Sequence, residues 1–225
     1  MTSSMKGTAS RRLRWSLLAV AAITLLPAIS ARANVIPNDE QQLRALISKV
    51  AQTGDLTMMA KLLAAGMDIN LQDKDGQPAL VTATLARQDD MVRLLLDDKA
   101  DVFTRTQKGM TALHAAAYVG DLAVAKMLIA HGADVNDQAN IARVTPLHAA
   151  AEEDHPDVVK QLLAAGADPK RVEVNGYTAG SRAGWREHWE IVRFLLRSGD
   201  ACQPEDLAGA WLYDKCTHLD LNASN

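Results

Sequence analysis

The sequence predicts an all-α solenoid of about five helix-turn-helix repeats, closed by a C-terminal cap. Three markers recur in register along the 225 residues: a helix-start position, a pair of aliphatic residues and a closing triplet similar to Gly-Ala-Asp. The helix-start position returns in steps of 33, 33, 34 and 33 residues, at Ala45, Pro78, Thr111, Thr145 and Thr178. A unit of this length cannot bury its own apolar face, so the copies are expected to stack on one another.

Each repeat is expected to contain two short helices. A threonine caps the first helix in three copies, because its hydroxyl can satisfy an unpaired N–H, and Pro146 suits the first helical position. Glycines such as Gly120 mark the break between the helices. In the second helix, apolar residues recur at three- and four-residue spacing, as at Leu122, Ala125 and Ile129. Gly132, Gly166 and Gly199 then suit left-handed C-caps.

The two most regular copies carry a diagnostic block. It reads Thr-Ala-Leu-His-Ala-Ala at 111–116 and Thr-Pro-Leu-His-Ala-Ala at 145–150, and it resembles the signature of the ankyrin-repeat family. The resemblance covers roughly residues 36–201 and implies repeats at 45–77, 78–110, 111–144, 145–177 and 178–200. The outer copies depart from the motif, as terminal repeats often do. One extra residue lies within 137–144, which predicts a longer connecting finger at the start of the fourth copy.

Residues 1–33 differ from the repeats. Lys6, Arg11, Arg12 and Arg14 precede an apolar run from Trp15 to Leu26, and Ala31-Arg32-Ala33 fits a cleavage site. This pattern predicts a cleaved signal peptide, export by the Sec route, and a periplasmic or secreted repeat domain over 34–200. An uncleaved anchor is the alternative, although the uncharged run is at the short limit for a membrane span.

Cleavage would leave 19 Lys and Arg against 27 Asp and Glu, a net charge of about −8. Such an acidic surface disfavours nucleic acid and anionic lipid as partners and favours solubility and a basic partner. After cleavage we expect no membrane association and a chain that is monomeric alone.

Both cysteines, Cys202 and Cys216, follow the last repeat. In an exported protein this pattern predicts a disulfide, worth about 3 kcal/mol for a loop of this size. It would hold a cap over 201–225, with a helix at 204–213 that turns Leu207, Trp211 and Leu212 toward the stack. Two free buried thiols are the alternative.

Nothing in the sequence indicates catalysis. It has no nucleophile elbow, phosphate-binding loop or zinc-protease motif. The even spacing of His114, His131 and His148 follows from the repeat, and equivalent positions about 10 Å apart cannot converge on one metal ion. We therefore expect no enzyme activity, no metal and no cofactor. The resemblance gives structural roles to its motif positions: Thr111, His114, Thr145, His148 and Thr178.

The resemblance also implies a binding surface made from the finger tips and the exposed side of each first helix. The predicted partner-binding residues are Lys74, Asp75, Gln77, Gln107, Lys108, Met110, Tyr118, Val119, Val144, Glu152, Glu153, Tyr177, Trp185 and Arg186. Several are residue types that dominate interface hot spots. Six of the nine aromatic residues fall within 177–213. An alternative role for the C-terminal aromatics is to pack the cap onto the fifth repeat.

The sequence thus predicts an exported interaction module whose partner is another protein. It would bind or support an exported enzyme. An immunity protein that inhibits a secreted toxin is the alternative, and a metal- or ligand-dependent enzyme is the hypothesis that the residues support least.

Overall fold

The computed structural model describes residues 39–219, which contain twelve α-helices and no β-strand. The predicted signal peptide lies outside these residues. The helices are α1 Glu40–Thr53, α2 Leu56–Ala64, α3 Ala79–Leu85, α4 Asp89–Asp97, α5 Ala112–Val119, α6 Leu122–Ala130, α7 Pro146–Glu152, α8 Pro156–Ala164, α9 Ala179–Trp185, α10 Trp189–Arg197, α11 Glu205–Ala208 and α12 Ala210–Thr217. Five helix pairs and a two-helix cap confirm the predicted all-α solenoid. None of the helices in 39–219 is long and apolar enough to cross a membrane.

The helices form two layers. Each first helix, from α1 to α9, packs on the first helix of the next repeat, and the second helices from α2 to α10 pack in the same way. The first residue of every aliphatic pair lies in the core between the layers with no exposed surface: Leu62, Leu95, Leu128, Leu162 and Leu195. One repeated leucine therefore supplies a continuous core along the solenoid.

Threonine caps begin the regular repeats. In α7, His148 N donates to the Thr145 hydroxyl, and Thr145 N donates to His148 Nδ1. The side chain of each residue therefore accepts a hydrogen bond from the backbone N–H of the other. The first repeat differs, because α1 begins at Glu40 with Asp39 as its cap and so starts ahead of the aligned position at Ala45. The longer helix covers the open end of the stack.

The fourth finger accommodates its extra residue before its tip. The hairpins of three other fingers close over five residues, for example from Asp73 N to Gln77 O. In the fourth finger Asn140 closes a loop of the same length, accepting from Val144 N and donating to Val144 O. Arg143 takes a left-handed conformation (φ 53°) where the other fingers have glycine. The finger is therefore longer in the limb that leads to the tip, over 135–139.

The cap differs from the single helix predicted over 204–213. Gly209, at φ 80°, separates α11 from α12. Leu212 is buried, and Trp211 contacts Trp185 and Trp189 of the fifth repeat, so both side chains face the stack as predicted, although Trp211 remains 45% exposed. Cys202 and Cys216 form a disulfide with a Cα–Cα distance of 5.7 Å, which joins the start of the cap to α12.

The fifth repeat has small residues where Leu212 of the cap and its own Asp200 approach α9. A Cβ on Gly184 would lie 2.5 Å from Leu212 Cδ1, and a Cβ on Gly180 would lie 2.2 Å from Asp200 Oδ2. Ser181 occupies the position of the motif histidine and donates to Gln203 Oε1 (2.5 Å), while Gln203 Nε2 donates to the finger carbonyl of Gly176 (2.6 Å). The departures from the motif in this repeat thus shape a seat for the cap.

Candidate functional site

Two depressions lie side by side between the finger tips and the first helices. The N-terminal groove, of about 310 Å³, lies on the second and third repeats and is bounded by Asp75, Gln77, Leu85 and Gln107. The C-terminal groove, of about 500 Å³, lies on the third to fifth repeats and is bounded by Ile141, Ala142, Glu152, Glu153 and Arg182. Lys108, Met110 and Tyr118 line both grooves. Together the grooves form one elongated surface along the solenoid.

One repeat position supplies the helix side of this surface. Counted seven residues after the helix start, it holds Leu85, Tyr118, Glu152 and Trp185. The three apolar side chains are 41%, 54% and 49% exposed, respectively. Because this position faces outward, these side chains contribute little to the core and remain free to contact a partner.

The last three finger tips form the other side. Ile141 N donates to Lys108 O (3.2 Å) and Val174 N donates to Ala142 O (3.0 Å), so main-chain hydrogen bonds join the tips. The Ile141 side chain is 76% exposed and that of Val174 is 58% exposed. Ile141 was missed as a binding residue. Counting back four residues from Thr145 places it at the position of Gln107, but the extra residue in this finger obscured that register.

At the C-terminal groove two arginine side chains pair with one glutamate. Glu152 accepts from Arg182 Nη2 at 2.8 Å and from Arg186 Nη2 at 3.1 Å, so two guanidinium groups share one carboxylate. In the N-terminal groove, by contrast, Lys74 and Asp75 pair at 2.9 Å. The hydrogen bond and charge of Asp75 raise the pKa of Lys74 above its ordinary value. The two grooves therefore differ in their charge balance.

Below the finger tips, Arg105 and Asp137 form a partly buried pair. Arg105 Nη1 donates to Asp137 Oδ1 at 2.8 Å, and Arg105 Nη2 donates to Asp137 Oδ2. Burial opposes ionisation of Asp137, but the hydrogen bonds and charge of Arg105 outweigh it and hold the pKa of that carboxyl below its ordinary value. The pair fixes the base of the fourth finger against the third.

Most of the predicted partner-binding residues meet at these grooves. Asp75, Gln77, Gln107, Lys108, Met110 and Tyr118 line the N-terminal groove, and Glu152 and Glu153 line the C-terminal groove. Lys74 lies on an exposed tip, Val119 and Tyr177 are half-buried, and Trp185 and Arg186 lie on and beyond the end of α9. Val144 also lines the C-terminal groove, although the residue is only 9% exposed and its carbonyl group accepts from His114.

The motif histidines are fully engaged in hydrogen bonds. His114 Nε2 donates to Val144 O at 3.0 Å, and its Nδ1 accepts from Thr111 N. His148 contacts Tyr177 O at 3.1 Å in the same way. Burial lowers the pKa of both, to about 4 for His148. Within 39–219 no group of three or more His, Cys, Asp or Glu residues is arranged to hold a metal ion.

Two other histidines join neighbouring repeats at the hinge between helices. His155 Nε2 lies 3.0 Å from Tyr118 O, and His188 Nε2 lies 3.0 Å from Glu152 O. A Cβ on Gly120 would lie 2.3 Å from the His155 ring, so glycine is needed there. These bonds hold the ends of α5 and α7, where Tyr118 and Glu152 face the grooves.

The C-terminal aromatics serve both predicted roles in part. Trp211 of the cap contacts Trp185 with ring centroids 6.3 Å apart and meets Trp189 edge-on at 6.0 Å. Trp185 and Trp211 each keep about half of their surface exposed, whereas Trp189 is more buried. The cluster attaches the cap to α9 and extends the exposed row of the first helices.

Comparison with known proteins points to the same architecture. A family model described as ankyrin repeats in three copies matches residues 46–139 and 137–206. The chain is 36% identical over 107 residues to the Ankyrin repeat and KH domain-containing protein mask-1 of Caenorhabditis elegans. This match covers 47% of this chain and 4% of that protein. It is 33% identical over 125 residues to Zygote-specific protein 3 of Chlamydomonas reinhardtii, covering 55% and 31%.

A third similar protein is Serine/threonine-protein kinase 12 of Arabidopsis thaliana, which is 36% identical over 84 residues. The match covers 37% of this chain and 18% of the kinase. The chain therefore spans less than a third of the length of each of these relatives.

Proposed function

Since this chain belongs to the ankyrin-repeat family, whose repeats form a protein–protein interaction module, we propose that it is a non-catalytic module that binds and supports an exported enzyme in the periplasm. The observation that carries the proposal is the exposed row formed by Leu85, Tyr118 and Trp185 beside the two grooves. The fold does not require apolar residues at this position, because the fourth repeat has Glu152 there.

The size and composition of this surface fit a protein partner. Tyrosine, tryptophan, methionine and arginine are enriched at interfaces, and Tyr118, Trp185 and Met110 supply three of these types here. Exposed apolar side chains that form one continuous surface are uncommon on proteins without a partner. The grooves also follow the long axis of the solenoid, which suits contact with several residues of another chain.

Two features support a periplasmic location for the protein. The basic segment, the apolar run and the Ala31-Arg32-Ala33 site together have the form of a signal peptide. The Cys202–Cys216 disulfide suits an oxidising compartment such as the periplasm. In that compartment the mature module would meet its partner after both have been exported.

We predict that Tyr118→Ala and Trp185→Ala each weaken partner capture by roughly thirtyfold, which corresponds to a hot-spot loss of about 2 kcal/mol. Both side chains are half exposed, so the thermal midpoint should fall only slightly, by about 2–4 °C for Trp185→Ala through its lost ring contact. The measurement is capture from periplasmic extract by the purified protein, quantified by mass spectrometry, alongside calorimetric melting.

Lys126→Ala is the matched control, because Lys126 is exposed on the second helix α6, away from both grooves. It should retain capture. Equal capture by the wild type and both aromatic variants would refute the binding surface. The activity of the captured protein then identifies the role: an enzyme whose activity or abundance rises supports the helper function, and a toxin whose activity is abolished supports the immunity function.

A further inference from the structure

We infer that the C-terminal groove binds an acidic segment of its partner that also carries large apolar side chains. The inference rests on the proposed function and assigns a chemical class to its partner. It runs against the expectation from total charge, which favoured a basic partner. In residues 39–219, 26 Asp and Glu outnumber 19 Lys and Arg, but the charges around this groove have the opposite balance.

The basic side chains at the groove exceed their carboxylate partners. Arg182 and Arg186 share Glu152, which leaves one positive charge in that cluster. Lys108 lines the groove, and Arg143 follows Ala142 on its rim; both are exposed, and neither forms an ion pair with any residue of 39–219. Glu153 is the remaining carboxylate of the lining. The lining alone is balanced, with Lys108 and Arg182 against Glu152 and Glu153. With the adjoining Arg143, Arg186 and Asp154, the count is four basic groups against three acidic ones.

Apolar groups lie between these charges. Met110, Tyr118 and Ile141 line the same groove, and Ile141 is the most exposed large apolar residue of 39–219. An aliphatic or aromatic side chain of the partner would bury this surface, while neighbouring Asp or Glu side chains reach Lys108 and Arg143. A basic segment would instead meet Lys108 and Arg143, which have no ion-pair partner within 39–219. Complementary charge of this kind selects partners and accelerates their association.

The rest of the molecule makes this preference specific. Because the surface as a whole is acidic, it repels an acidic segment everywhere except where positive charge is concentrated. The main-chain bonds between the finger tips hold Lys108 and Ile141 together, and the bonds from Glu152 hold Arg182 and Arg186 in place. The main chain that carries Lys108 and the side chains of Arg182 and Arg186 are therefore already in place, which lowers the entropy cost of binding.

The test is selection of random twelve-residue peptides displayed on phage against the purified full chain. Individual selected peptides are then measured by fluorescence anisotropy. The charge-reversed variant is Lys108→Glu with Arg143→Glu. Its matched control, Lys61→Glu with Lys126→Glu, makes the same change in net charge at exposed positions on α2 and α6. Circular dichroism checks that both variants are folded.

Selected peptides should be enriched in Asp and Glu together with aromatic or aliphatic residues, relative to the unselected library. Their affinity should fall at least about tenfold in Lys108→Glu/Arg143→Glu and stay within about twofold in the control pair. Equal weakening in both pairs would indicate bulk charge attraction and overturn the inference.

Two further outcomes separate this inference from the proposed function. Peptides that depend on Tyr118 but are neutral or basic, and that tolerate charge reversal, would overturn the acidic partner and leave the binding surface intact. Selection that yields no peptide dependent on Tyr118 would overturn both.

Discussion

Replacing Gly180 with leucine is expected to lower the free energy of unfolding by about 4 kcal/mol, the sum of overpacking and lost hydrogen bonds to a buried carboxyl. Adding Asp200→Ala to that variant should recover most of the loss. Gly180 and Asp200 are an unusual pair, because the regular repeats have leucine at the first of these positions and alanine at the second, as in Leu147 with Ala167. In the fifth repeat the order is reversed: the small residue, Gly180, stands at the leucine position, and the larger one, Asp200, stands at the alanine position.

The contacts explain the exchange. Asp200 Oδ2 accepts from Gly180 N at 3.2 Å and from the Thr178 hydroxyl at 3.1 Å, and Oδ1 accepts from Ala201 N. The carboxyl thus occupies the space of the absent leucine side chain, since a Cβ on Gly180 would lie only 2.2 Å from Oδ2. Leucine at 180 would displace the carboxyl and leave a buried acid without its donors. Asp200→Ala alone would leave those donors unpaired, at a cost of about 2 kcal/mol.

The measurement is urea unfolding of the wild type, both single variants and the double variant. A favourable coupling free energy of at least about 3 kcal/mol between the two sites is expected, because each change corrects the defect made by the other. Additive effects would show that Gly180 and Asp200 are independent adaptations rather than one exchange of a large and a small residue.

This pair also shows where reading the sequence reaches its limit. The period and the repeated leucines predict the stack, because Leu62, Leu95 and their equivalents serve the same purpose in every copy. Gly180 and Asp200 occur in one copy only, so comparison between repeats treats them as departures from the motif. Their meaning depends on a contact between residues twenty positions apart, which only the folded repeat brings together.

Part of the candidate site could likewise be predicted from the repeat pattern, and part could not. Tyr118 and Met110 were predicted because their repeat positions face outward in any solenoid of this kind. Ile141 was missed, since one extra residue in the finger obscures which side chain stands at the tip. The pairing of Glu152 with Arg182 and Arg186 joins neighbouring repeats, so the charge of the groove follows from stacking geometry and cannot be read from net charge.

Acidification is expected to destabilise the fold between about pH 6.5 and pH 4, and two substitutions should change this effect in opposite directions. Burial lowers the pKa of His148 from 6.5 to about 4 and also lowers that of His114. Protons therefore bind the unfolded chain first in this range. The stability that the neutral histidines provide is complete above pH 6.5 and is lost as the pH falls. For His148 the loss approaches about 3 kcal/mol.

Asp200 acts against the histidines. Burial raises its pKa from 3.8 to about 6, so the folded state takes up this proton first, and its contribution to stability grows as the pH falls through that interval. Asp200→Asn should thus enlarge the loss of unfolding free energy between pH 7 and about pH 4 by roughly 3 kcal/mol. His148→Gln, which cannot titrate, should reduce the loss by a similar amount.

Urea unfolding at several pH values compares each variant with its own stability at neutral pH, which removes the constant cost of the substitution. The direction of the change is the decisive observation. His148 joins Thr145 to the fifth finger through Tyr177 O, and Asp200 joins the end of the fifth repeat to Thr178 at the start of α9, so both groups act at the fourth and fifth repeats. If both variants changed the pH dependence in the same direction, a general loss of packing would explain it. Opposite changes would instead identify two titrating groups whose effects offset each other in the wild type.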